Sequence, residues 1–181
     1  MKDLKIQLVV VMSILVSTLS YAQTKMVGGA EMYPTKNIVE NAVNSKDHTT
    51  LVAAVKAAEL VATLSSEGPF TVFAPTNAAF GNLPEGTVET LLKPENKKQL
   101  QTVLTYHVIA GKFNAKDVVE AIKKGDGKAE LQTVSGGTLT AMLDGDMVKI
   151  KDAKGNVATV TIADVNQSNG VIHVVDTVLL P

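Results

Sequence analysis

Cysteine, arginine and tryptophan are absent from these 181 residues, and aromatic side chains make up only 4% of them. Without cysteine there is no disulfide framework and no N-terminal cysteine to carry a lipid, so the fold must rest on a hydrophobic core. Without arginine the planar fork that grips phosphates and reads guanine edges is missing. The 17 basic side chains are all lysine and face 18 acidic ones, leaving no basic surplus for nucleic acid. Long hydrophobic runs are also scarce. The first, Leu8 to Leu15, follows Lys2 and Lys5, is interrupted by Ser13, and gives way to Ser17 and Thr18. It falls short of the roughly 20 apolar residues that span a bilayer. Small residues at Ser20 and Ala22 precede Gln23, so residues 1–22 read as a cleaved secretory signal peptide, leaving no membrane anchor. Release or residence in a periplasm is the implied location. Removing Lys2, Lys5 and Asp3 leaves 15 basic against 17 acidic side chains, a net charge of −2.

Residues 23–36 carry Gly28-Gly29 and Pro34 without regular periodicity and read as an extended N-terminal arm, docked or mobile. A domain over 37–181 follows, long enough to bury a core of its own. Ile38, Val39, Ala42 and Val43 share a helical face. A longer helix is predicted over about Thr50 to Leu64, with Leu51, Val52, Val55, Ala58 and Val61 inward and Lys56 and Glu59 outward. Val88 to Leu92 makes a short helical turn, and Pro94 suits a first helical position. Leu100, Val103, Leu104 and His107 then recur at helical spacing, and Asn114 caps a helix over Ala115 to Lys124 that hands over to Gly125, a residue suited to a left-handed turn.

Beyond Lys128 the hydrophobic period changes from 3.6 to 2. Strands are predicted at Glu130–Val134, Thr138–Leu143, Met147–Lys151, Val157–Ile162 and Val171–Leu180, with reversals at Gly136-Gly137, Asp144-Gly145 and Lys154-Gly155-Asn156. The last is apolar on both faces, which places it centrally. A further strand runs over Phe70 to Ala74. Pro75 ends it by removing a donor, and Thr76 or Asn77 then caps a helix that sets Phe80 and Leu83 on one face.

The chain has three histidines, and each reads as structural on its pattern. His48 sits in the polar link Ser45 to Thr49 as a solvated loop or cap residue. His107 on a helical apolar face and His173 on a buried strand read as hydrogen-bonded core residues. No two are helical neighbours, so a zinc site is not indicated. Asp144 and Asp146 around Gly145 read as a hairpin turn rather than a calcium loop. Neither Ser135 nor Ser168 stands on a nucleophile elbow. Asp164 opens the polar segment to Gly170, read as a loop before the final strand; its carboxylate either caps a turn or meets a partner's cation or metal.

Three separated segments, GPFTVFAPTNAAF at 68–80, LTYHVIAGK at 104–112 and NGVIHVVDTVLLP at 169–181, follow one another in the order and spacing of the fasciclin-domain family. From about Tyr33 to Pro181 the chain resembles small secreted bacterial members of it. The resemblance implies an α+β fold, a β-wedge braced by several helices. Phe73, Pro75, Thr76, Asn77, Phe80, Gly170, His173 and Asp176 are its structural signature. It implies adhesion and extracellular binding of a protein or polysaccharide, without catalysis, cofactor or metal; with one domain, bivalence would need self-association or two faces. Integrin recognition in animal matrix members is assigned to a Tyr-His segment and an Asp-hydrophobic pair, which here match Tyr106-His107 and Asp164-Val165. Ile162-Ala163 departs from the acidic-proline pair that precedes the aspartate in the best-known motif. The alternative is a secreted enzyme or small-ligand binder using His107, His173 or Asp176.

Overall fold

The computed structural model describes residues 23–181; the expected signal peptide lies outside the described residues. Two short strands, β1 (Lys25–Val27) and β2 (Ala30–Met32), pair antiparallel about Gly28-Gly29. Both glycines have positive φ, as the two central positions of such a tight hairpin require. Val27 and Met32 are buried, so the arm is docked.

The helical layer follows: α1 (Ile38–Ala42), α2 (Thr49–Ala57) and α3 (Val61–Leu64). In α1 Ile38 is buried and Val39 packs against the core as the apolar face requires, but Asn41 is fully buried beside Ile38 and Val43 is 48% exposed, so the face is rotated away from Val43. The single long helix expected after Thr50 is two. Glu59 takes a left-handed conformation (φ 56°) between α2 and α3, so the chain turns where periodicity alone continued.

Then comes β3 (Phe70–Pro75), capped by Thr76, whose Oγ1 accepts from Ala79 N at 3.2 Å to start α4 (Asn77–Gly81). Pro75 stays in the strand, opposite Val175. α5 (Thr87–Leu91) and a turn of 3-10 helix beginning at Pro94 lead to α6 (Lys97–Tyr106), β4 (Val108–Ala110) and α7 (Ala115–Lys124). Asn114 holds the N-cap position of α7, its amide donating to the Asp117 carboxylate at 2.8 Å. At the other end Gly125 has φ −98°, and Asp126 and Gly127 supply the left-handed turn expected of it.

The remainder is the meander: β5 (Lys128–Gln132), β6 (Thr138–Asp144), β7 (Met147–Lys151), β8 (Val157–Gln167) and β9 (Gly170–Val175). Strand order is β4-β3-β9-β8-β7-β6-β5 in one seven-stranded sheet. β9 lies between β3, to which it is parallel, and β8, to which it is antiparallel, and all six of its residues are buried. Two-faced apolarity thus translated into a central strand, although the strand ends at Val175 and not at Leu180. The sheet curls until its edges meet: Ile109 bridges Thr133, and Val134 N donates to Val108 O at 2.8 Å. This α+β architecture has a core on each side of β9. Ile172 and Val174 pack with Val72, Leu100 and Leu104 under the helices, while Val175 and Leu179 pack inside the wedge with Phe73, Tyr106, Ile122, Leu139 and Ile150. Each such aliphatic side chain, fully buried, contributes about 1.5–3 kcal/mol.

Candidate functional site

Tyr106 and His107 end α6, and both point inward. Tyr106 is fully buried; its hydroxyl donates to Thr138 O at 2.9 Å and accepts from Ala153 N at 3.1 Å, and burial raises its pKa. Gly137 passes so close that a Cβ there would lie 2.6 Å from the Tyr106 ring. His107 Nδ1 contacts Val103 O at 2.8 Å, and its Nε2 accepts from Leu179 N at 2.9 Å. Nδ1 therefore carries the proton, because Nε2 must be an acceptor. Burial pushes the His107 pKa down to about 4, against smaller opposing effects of the Val103 carbonyl and the Asp152 charge.

Asp164 is not on a loop. It lies within β8, half-buried, at a bulge marked by register shifts between Val160, Ile162 and Val165, with φ 55°. The bulge turns the strand from the meander into the sheet that holds β9. The turn expected after Ile162 comes only at Ser168-Asn169, because pairing with β9 continues through Gln167. Asp164 Oδ1 accepts from Ala115 N at 2.6 Å at the start of α7, and Asp164 N donates to His173 Nδ1 at 3.3 Å. A carboxylate at the positive end of a helix is favourably placed. Val165 is 1% exposed and belongs to the core beneath the helices.

His173 completes this corner by donating from Nε2 to Phe113 O at 2.8 Å and stacking on Phe73 with ring centroids 5.7 Å apart. Burial lowers its pKa, partly opposed by the Phe113 carbonyl and Asp164. His48 departs from the solvated role read for it: it is 3% exposed, packed ahead of α2, with Nδ1 2.9 Å from Ser45 Oγ. Burial lowers its pKa while the Ala74 carbonyl and Asp47 pull the other way, and its Nε2 completes no hydrogen bond.

The other signature residues also hold elements together. Asn77 is not the cap; its side chain reaches across to accept from Thr50 N at 2.9 Å and donate to Lys46 O at 2.8 Å. Phe80 is buried. Gly170 faces Phe70, whose carbonyl oxygen would stand 2.0 Å from an added Cβ. Asp176 is exposed and accepts from Thr159 N at 2.8 Å.

Several buried polar residues went unassigned from sequence. Asn41 bonds the Tyr33 backbone in both directions and Gln167 across the molecule. Asn169 accepts from Ile38 N at 3.0 Å and donates to Leu64 O and Ser66 O at 2.8 Å each. Asp152 accepts from Lys154 N, Asn156 N and Leu180 N at 2.8 to 2.9 Å. The Asp-Ala-Lys-Gly-Asn turn signal could have found Asp152; the partners of Asn41 and Asn169 are too distant in sequence to have left a local one.

Tyr106, His107 and Val165 are thus inside the domain, and only Asp164 of the four expected recognition residues reaches solvent. His107, His173 and Asp176 do not converge: they serve α6 and the C-terminal segment, the α7 corner, and the start of β8 in turn. Among the described residues no group of three or more His, Asp or Glu side chains could hold a metal ion.

A wedge sheet braced by helices, its strands tied together by the Tyr-His segment and the final box, defines a class, and the match is to the Fasciclin domain over residues 46–181. The chain belongs to that family. It is 53% identical over 146 residues to Protein sll1483 of Synechocystis sp., covering 80% of this chain and 73% of that protein. With the Immunogenic protein MPB70 of Mycobacterium bovis it shares 37% identity over 145 residues, covering 77% of this chain and 66% of that one. The structure of a FAS1 domain pair from the insect cell adhesion molecule Fasciclin I superposes with a TM-score of 0.72 at 18% identity, over 81% of this chain and 51% of that one. That likeness is one of fold. No helix among the described residues is long and apolar enough to cross a membrane.

Proposed function

We propose that the protein is an exported, non-catalytic binding module of the adhesion type, a rigid wedge that recognises a protein or polysaccharide through its surface loops. The observation that carries this reading is the use made of its polar groups. The imidazoles of His107 and His173 and the Tyr106 hydroxyl, which a catalytic reading would need exposed, are buried and bonded to backbone. A catalytic site needs such groups to converge on a concavity that a substrate can enter. Shared fold with a cell adhesion molecule supports the same reading. Self-association is one route by which a single domain becomes adhesive.

The test is capture by the immobilised protein of three partner classes in parallel: matrix proteins, envelope polysaccharide, and the protein itself. Saturable binding of one of them, undiminished in Tyr106→Phe once corrected for the folded fraction, is the expected result. Turnover of a substrate that disappears when His107 or His173 is replaced without loss of folding would defeat the proposal.

A further inference from the structure

An open groove of about 520 Å³ runs between α5, α6 and the C-terminal segment. Small-ligand sites occupy roughly 300–1,000 Å³, so it has the size of one. Its two helices contribute the same three-residue pattern. Thr87, Thr90 and Leu91 of α5 stand at i, i+3 and i+4, and so do Gln99, Thr102 and Val103 of α6. In each set the last residue is buried and aliphatic; of the others, Thr90, Gln99 and Thr102 are exposed and Thr87 is half-buried. The groove thus has an aliphatic floor with hydroxyl and amide groups standing over it from both helices.

Its walls are fixed before any ligand arrives. Half-buried Leu180 donates from its N to Asp152 Oδ2 at 2.9 Å, and the same carboxylate accepts from Lys154 N at 2.9 Å. Asn96 Nδ2 donates to Thr90 O at 2.7 Å, tying α5 to the turn that precedes α6. A site ordered in advance loses less freedom on binding.

The lining chemistry narrows the ligand. The hydroxyls of Thr87 and Thr90 and the Gln99 amide have no partner among the described residues, and Thr102 Oγ1, which donates to Lys98 O at 3.0 Å, keeps its lone pairs for an incoming donor. Hydroxyls and carboxamides offer both donors and acceptors, which suits a ligand whose own groups do both. The two charged side chains on the lining, Glu85 and Lys154, cancel, so the groove does not select an ion. A wholly apolar ligand would strip water from the threonines and Gln99 without replacing its bonds. An extended peptide adds to a sheet edge and an amphipathic helix needs an apolar trough, and these walls supply neither.

We infer that this groove binds a neutral saccharide, its hydroxyls bonded to Thr87, Thr90, Gln99 and Thr102 and the C–H face of a ring lying on Leu91, Val103 and Leu180. The inference rests on the reading of the protein as a binding module and narrows its partner to one class.

The test presents the protein to an array of neutral hexose and N-acetylhexosamine oligosaccharides and their uronate counterparts, with matrix proteins and the protein itself in parallel. The best-retained glycan is then titrated into labelled protein and followed by amide NMR. Saturable retention of a neutral glycan is expected, with shifts centred on residues 87–91 and 99–103. The double variant Thr90→Val, Gln99→Leu, altered only at exposed positions, should bind it roughly tenfold more weakly. Absence of saturable binding by any neutral glycan, preference for the uronates, shifts centred elsewhere, or undiminished binding by the folded double variant would each overturn the inference. The array and the shift map on the unaltered protein decide the matter even where the variant fails to fold. Capture of a matrix protein or of a second copy without any glycan would sink this inference and spare the wider reading; capture of nothing would sink both.

Discussion

His107 is held neutral in the fold because burial depresses its pKa from an ordinary 6.5 to about 4. The unfolded chain therefore binds the proton first, and stability rises with pH across this interval. The contribution is fully present above about pH 6.5 and is lost as pH falls through 4. It amounts to about 3 kcal/mol for this residue. His48 and His173 are shifted in the same direction by burial and steepen the decline. Urea denaturation at pH 7 and pH 5 should show the loss, and His107→Gln should flatten it while lowering stability at pH 7. A slope unchanged in that variant would remove His107 from the account of acid sensitivity. At the same scale, Asn169→Ala deletes three bonds that join α1 and the end of α3 to the β8–β9 turn. About 2–4 kcal/mol should be lost on denaturant unfolding. Gly170→Ala should be worse, because the clash is with backbone that cannot swing aside.

Among the elements, β8 shows where reading from sequence ended. Its first half alternates, and its polar second half reads as loop because Asp164, Asn166 and Gln167 are unusual on a paired strand. Pairing with β9 overrides that propensity. α2 and α3 failed for a related reason: the break at Glu59 has no Gly or Pro to announce it. By contrast, the β3-to-α4 corner, the meander reversals and the burial of β9 were legible, since Pro75, the Asp-Gly and Gly-Gly turns and an apolar run each act through local sterics or simple periodicity. The interior position of Tyr106 and His107 was legible in part, from the spacing of α6, while the half-buried place of Asp164 was not. The bulge makes a separate forecast. Asp164→Ala keeps the left-handed φ and loses the acceptor for Ala115 N, costing about 1–2 kcal/mol. Asp164→Gly loses the same bond but relieves the backbone, so it should be the more stable of the two in thermal unfolding. The reverse order would mean that the bulge is not strained at this residue.

For the whole molecule, the decisive feature is the closed, two-core wedge on which the N-terminal hairpin is docked through Val27 and Met32. Buried polar groups tie β9, α6 and α7 together; under the proposed function, recognition falls to the loops and outer faces. Stability and attachment are then separable properties. The most direct measurement is surface attachment and unfolding free energy determined side by side for the unaltered protein and His107→Gln. Lower stability with unchanged attachment per folded molecule is the expected result. Loss of attachment at undiminished stability would contradict it, by showing that the buried imidazole serves recognition and not the scaffold.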